Sequence, residues 1–237
     1  MKINPNSEAF SKAKIIVALD VPSAIAAIDL CDRLPQVSFW KVGLELFIAD
    51  GNTILRELKD RNKRIFLDLK LHDIPNTVAS ACRIATKYGA DFLTIHASGG
   101  KAMMQAAQAE VQDSETQLLA VSLLTSISAS KLSSDLKVSL AVPEYVSQMV
   151  LLAKESGLTG AVCSPHEVAS LRSLVDDDFC FVTPGVRPVG SAVGDQSRVM
   201  TPKQAIAAGA NYLVIGRPIT AAVNPVVAWE QICKDCS

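Results

Sequence analysis

"RIFLDLKLHDIPNTVASACRIATKYGADFLTIHA", residues 64–97, carries one complete structural unit. It opens on the apolar run 64–70, continuous rather than cleanly alternating, which suits a strand buried on both faces. Pro75 then suits a first helical turn. Val78, Ala81, Cys82 and Ala85 fall on one helical face, and Gly89 is placed to end the helix. A second strand-like run, 91–97, follows at once.

The same unit recurs along the chain. Further strand-like runs are "KIIVALD" (14–20), "FWKVGL" (39–44), "QLLAVSLL" (117–124), "GAVCS" (160–164), "DFCFVTPG" (178–185) and "NYLVIG" (211–216). Helix-length segments lie between them. In "AVPEYVSQMVLLAKESG", Val142, Tyr145, Val146, Met149, Val150 and Ala153 make one apolar helical stripe. Eight alternating units predict an α/β fold, a (β/α)₈ or TIM barrel, with residues 1–237 forming a single domain. The alternative is a doubly wound open sheet.

Run starts at 14, 39, 64, 91, 117, 160, 178 and 211 give steps of 25, 25, 27, 26, 43, 18 and 33. The extra length therefore follows strands 5 and 7, in "TSISASKLSSDLKVSLA" and "GVRPVGSAVGDQSRVMTP". In a barrel both segments lie on the C-terminal face, where active sites are built, and long loops there are candidate lids.

Composition narrows the function. A formal net charge of −1 and 5% aromatic residues argue against nucleic acid as a partner. "MKINPNSEAFSKAKIIVALDVP" has too short an apolar run for a signal peptide, and no stretch reaches the roughly 18 apolar residues of a membrane helix. Cysteines 31, 82, 163, 180, 233 and 236 are scattered, with one terminal CxxC, a weak metal signal. Reduced thiols in the cytoplasm are the expectation.

Charges gather where a barrel places its chemistry. Asp20 ends strand 1, Lys41 lies in strand 2, and Asp68 and Lys70 end strand 3. As i and i+2 residues the last two share a strand face, about 6.6 Å apart along the backbone. A layer of interior salt bridges is the plain alternative. Buried charges, however, cost several kcal/mol each, and branched apolar side chains fill barrels without that cost. After strand 8 come Gly216 and Arg217, and after strand 7 Gly185 and Arg187. Glycine lets backbone N–H groups approach a phosphate and arginine grips it with a planar fork, so a phosphorylated substrate is expected. His96 ends strand 4 and either faces the pocket or is structural. No spacing suggests a transition-metal site.

With these residues in view, the whole chain resembles the orotidine 5′-monophosphate decarboxylase family in its bacterial form. "VALDVP", "KVGLELF", "FLDLKLHDIPNTV", "TIHASGG", "TPGVRP" with "GDQSRV", and "IGRPI" occur in the family's order. The resemblance implies a cofactor-free, metal-free (β/α)₈ homodimer that takes orotidine 5′-monophosphate to UMP. It implies a catalytic array of Lys41, Asp68, Lys70 and Asp73, with Asp73 and Thr77 reaching the partner subunit's site. Substrate binding would also use Asp20, Ile74, Thr125, Pro184, Arg187, Gln196, Gly216 and Arg217. The rival is a Mg²⁺-dependent sugar-phosphate decarboxylase of the 3-keto-L-gulonate 6-phosphate type, which typically continues its D-x-K-x-x-D core with D-x-G; here it continues "DIPNT". A non-catalytic nucleotide-binding barrel is the third reading.

Overall fold

In the computed structural model, which describes residues 14–188 and 200–236, eight parallel strands pair in sequence order and close on themselves. They are β1 (Ile15–Ala18), β2 (Phe39–Gly43), β3 (Arg64–Leu71), β4 (Phe92–His96), β5 (Gln117–Val121), β6 (Gly160–Val162), β7 (Cys180–Thr183) and β8 (Tyr212–Ile215). Pairing of Ile16 with Val214 joins the first strand to the last, so the open-sheet alternative falls.

Each strand is buried on both faces because successive side chains serve two cores. Ile15, Val17, Trp40, Val42, Ile65, Leu67, Leu93 and Ile95 point outward and pack under the helices. Ile16, Ala18, Phe39, Phe66, Phe92, Leu119, Val182 and Val214 fill the barrel interior. At the N-terminal end this interior is an aromatic floor. The Phe92 ring lies 5.3 Å from Phe39, 6.0 Å from Phe66 and 5.2 Å from Tyr212. Arg64 closes it from below, its guanidinium 4.0 Å over the Phe39 ring and its Nε donating to Asp91 at 2.8 Å. Two residues further along the inward face, Phe39 gives way to Lys41, Phe66 to Asp68 and Phe92 to Thr94. The period of two that builds the floor therefore also delivers the polar layer above it.

The helices form as their patterns require. Pro75–Lys87 begins on its proline, buries Val78, Ala79, Cys82 and Ala85, and is followed by Gly89 at φ +64°. Val142–Glu155 buries Val146, Val150 and Ala153, with Val142, Tyr145 and Met149 packed beside them. No helix among the described residues is long and apolar enough to cross a membrane.

The long segment after β5 is more built than its composition suggests, and of the one after β7 only the two ends lie among the described residues. After β5, Ser128 caps a short helix, Ala129–Ser134, by accepting from the Lys131 N–H, and Leu132 is fully buried. After β7, a bridge between Val186 and Met200 ties the segment at its base, and Thr201 and Gln204 form a capping box for Pro202–Ala207.

Candidate active site

Four charged groups meet at the C-terminal mouth. Lys41 Nζ donates to Asp20 Oδ1 at 3.0 Å and stands 3.5 Å from Asp68 Oδ2. Lys70 Nζ donates to both Asp68 oxygens at 2.8 Å. Signs therefore alternate from Asp20 through Lys41 and Asp68 to Lys70. Lys41 and Asp68 are each only 8% exposed, so the contact between them is not a screened surface pair that contributes little, whereas Asp20 is exposed.

Asp68 is the most constrained member. Burial alone would push its carboxyl up, but the charges of Lys41 and Lys70 and hydrogen bonds from Lys70 and Thr94 outweigh that and hold it below its usual value. At neutral pH it is a carboxylate. Gly43 belongs to the same packing, since a Cβ there would lie 3.0 Å from Lys41 Nζ.

Asp68 and Lys70 meet as the i, i+2 spacing predicts, but not on a regular strand. Lys70 has φ +50°, a conformation that costs a non-glycine residue roughly 1–2 kcal/mol. The register with β4 shifts between Leu67 and Leu71 at the same place. Thr94, fully buried on β4, fastens this irregularity: its Oγ1 accepts the Lys70 N–H at 2.9 Å and donates to Asp68 Oδ1 at 3.0 Å. The apolar run of β3 gives no sign of the shift.

The charged row separates two lobes. One, about 200 Å³, is walled mainly by Phe66, Val121, Leu123, Val162 and Val214, with Thr125 and Pro184 at its rim. The other, about 130 Å³, is bounded by Asp20, Gly43 and Glu45, and both share Lys41, Asp68 and Lys70. Cys163 also lines the larger lobe, yet burial raises its thiol well above the usual value, so it offers no thiolate.

A basic corner stands beside these lobes. Gly216 lies so close to β1 that a Cβ would sit 3.4 Å from Asp20 Oδ2, and exposed Arg217 opens the short helix that follows. Arg187 is 8% exposed. Its guanidinium donates to the Val186 carbonyl at 3.1 Å and is destabilised by burial and by the charge of Arg217. Gln196 lies outside the described residues.

Asp73, Ile74 and Thr77 stand apart from this cluster and are exposed. Ile74 occupies the N-cap of the following helix, and the Asp73 carboxylate accepts the Ile74 N–H at 2.6 Å. Leu44, Ile48 and Ile74 are exposed apolar side chains on the neighbouring helix starts. His96 points inward and its ring lies 5.3 Å from that of His72, a residue with no role legible in the sequence. Burial, His72 and Lys70 all lower its pKa, which keeps it a neutral imidazole at pH 7. Among the described residues, no group of three or more His, Cys, Asp or Glu could hold a metal ion.

Comparison with known proteins bears on all of this. Residues 13–232 match the model of the orotidine 5'-phosphate decarboxylase / HUMPS family. The chain is 61% identical over 224 residues to an orotidine 5'-phosphate decarboxylase of Gloeothece citriformis (strain PCC 7424), covering 94% of this chain and 97% of that protein. It is 49% identical over 233 residues to that of Moorella thermoacetica (strain ATCC 39073 / JCM 9320), covering 95% and 92%. The crystal structure of the Lactobacillus acidophilus orotidine 5'-phosphate decarboxylase matches with a TM-score of 0.84 at 39% identity, covering 94% of this chain and 98% of that one.

Proposed function

The chain belongs to the orotidine 5'-phosphate decarboxylase / HUMPS family, and from that membership and the site we infer a carboxy-lyase that converts orotidine 5'-phosphate to UMP and CO₂ in pyrimidine biosynthesis. The observation that carries the mechanistic reading is Lys70 Nζ, held 2.8 Å from both oxygens of Asp68 at the edge of an apolar lobe. Cleavage of the C6–carboxyl bond leaves an electron pair in the ring plane, where the ring π system cannot accept it. A fixed cation beside C6 offsets that charge, and the Lys70 ammonium then gives the proton that forms the C6–H bond. Lys70 is left as a neutral amine and regains its proton from water.

Asp68 faces the departing carboxylate in this pose. At ~4 Å and an effective dielectric of ~20 the repulsion is about 4 kcal/mol, against the roughly 8–23 kcal/mol that enzymes supply. Ground-state stress contributes, and the larger share falls to Lys70 and to phosphate binding that closes the site against water. The pyrimidine occupies the larger lobe, near Thr125 and Pro184. Asp20 and Lys41 hold the ribose, Arg187, Gly216 and Arg217 take the phosphate, and Gln196 links phosphate and pyrimidine. The 1–237 span works as one barrel domain in the cytoplasm, where its buried cysteines suit a reducing medium.

Two copies complete the site. Asp73 is exposed and unused by its own array, and Leu44, Ile48 and Ile74, at the starts of the helices that follow β2 and β3, are exposed apolar side chains, which suits a self-complementary contact. Asp73 and Thr77 then reach the ribose and Lys70 end of the partner subunit's site. Mixing K70A with D73N subunits tests this. Each homodimer is crippled, but random exchange makes half the dimers mixed, each with one intact site, so activity should recover to about a quarter of the parent. No recovery after subunit exchange rules out the trans assignment.

Turnover is read by the loss of orotate absorbance from orotidine 5'-phosphate with and without a chelator. Unchanged rates with chelator support the reading. Chelator-sensitive action on a sugar-acid phosphate would instead support the Mg²⁺-dependent rival, and binding without turnover a non-catalytic barrel.

A further inference from the structure

We propose that Thr94 is a positioning residue that sets the geometry of the Asp68–Lys70 pair. The inference rests on the reaction assigned above. It starts from an oddity of β3: Lys70 sits in the left-handed region at φ +50° where the register against β4 slips. A lysine there needs something to hold it.

Thr94 is the residue that does so. It is fully buried, and its single hydroxyl serves both members of the pair at once. Oγ1 accepts the Lys70 backbone N–H at 2.9 Å, replacing the strand partner that the slipped register removes, and donates its own hydrogen to Asp68 Oδ1 at 3.0 Å. That second bond is also one of the contacts that keep the Asp68 carboxyl ionised. Because the hydroxyl has one hydrogen, its donation to Asp68 fixes its lone pairs toward the Lys70 amide. Backbone strain at Lys70 and carboxylate orientation at Asp68 thus share one tether, and the ammonium is aimed by it. Valine has nearly the same shape without the hydroxyl; in its place the Lys70 N–H is left orphaned and Asp68 loses a donor.

The test compares T94V, T94S and the parent. Loss of a hydrogen bond to a charged group corresponds to roughly 10- to 100-fold, and in T94V the fall should lie in kcat, with KM changed less than about threefold. T94S, which keeps the hydroxyl, should recover most of that rate. Equal kcat in T94V and the parent, or a loss in T94S as large as in T94V, overturns the proposal. A second measurement does not depend on turnover. A carboxyl held below its unfolded value stabilises the fold above the unfolded pKa, and that stability is lost as pH falls through the folded value. Removing a donor to Asp68 raises the folded value, so T94V should unfold at higher pH in an acid titration than T94S does. Coincident acid midpoints overturn the proposal even if the parent proves inactive on orotidine 5'-phosphate, a result that would sink the assigned reaction separately.

Discussion

K70A should lower kcat by about ten-thousandfold or more while a UMP-like ligand still binds. The change removes the proposed general acid, worth about 10²–10⁴, together with a cation placed to offset charge at C6. It also leaves Asp68 facing the substrate carboxylate with Lys41 at 3.5 Å as its remaining counter-charge. The repulsive partner thus survives while the stabilising one is gone. Ligand binding should persist because the residues proposed for the phosphate and the ribose follow other strands, and measurable binding shows that the variant is folded. A single-turnover rate within tenfold of the parent would show that Lys70 does not deliver the proton.

R217A should lower kcat/KM by roughly 10²- to 10³-fold, the loss expected when one or two charge-assisted bonds to a phosphate disappear. Most of the fall should appear in KM, with a share in kcat if phosphate binding drives loop closure. Arg187 remains in the variant. It no longer suffers the like charge of Arg217, so part of the anion affinity persists. Orotidine, which lacks the phosphate, separates the two roles of the side chain. Its much slower decarboxylation should respond little to the substitution. An equal proportional loss on both substrates would place Arg217 in the framework rather than at the phosphate.

Much of this architecture is legible in the sequence because a parallel barrel leaves a repeated trace. Pro75, the stripe through Val78, Cys82 and Ala85, and Gly89 mark one helix with its start and stop. The apolar runs on either side cannot be surface strands. The charged row is legible for a related reason: four ionisable residues at strand ends are too costly in a barrel interior to be filler. What escapes the sequence is whatever depends on register between strands. Thr94 looks like an ordinary β-branched strand residue until β4 is laid beside the slipped segment of β3. Its position two residues before His96 was the only available clue, since it places Thr94 on the inward face. Lys70's left-handed backbone is hidden for the same reason, because "FLDLKL" reads as uninterrupted strand. The Ser-rich segment after β5 looks like open loop because a six-residue helix anchored by one leucine is too short to show a period.

The stacking of a charged layer on an aromatic floor, two residues apart along the same strands, has a consequence for how this protein tolerates genetic change. A substitution at Phe39 or Phe66 acts at one level of the barrel and leaves the residue two places on facing inward. Loss or gain of a single codon inside β2 or β3 is different in kind. Between Phe39 and Lys41, or Phe66 and Asp68, it sets the two on opposite faces, so that one of them turns outward into the helix layer. A point mutation therefore changes one level and leaves the other in place, whereas an insertion or deletion destroys the alignment of support with chemistry. Length variation in descendants of this chain should gather in the segments after β5 and β7 and avoid the strands that carry the charges.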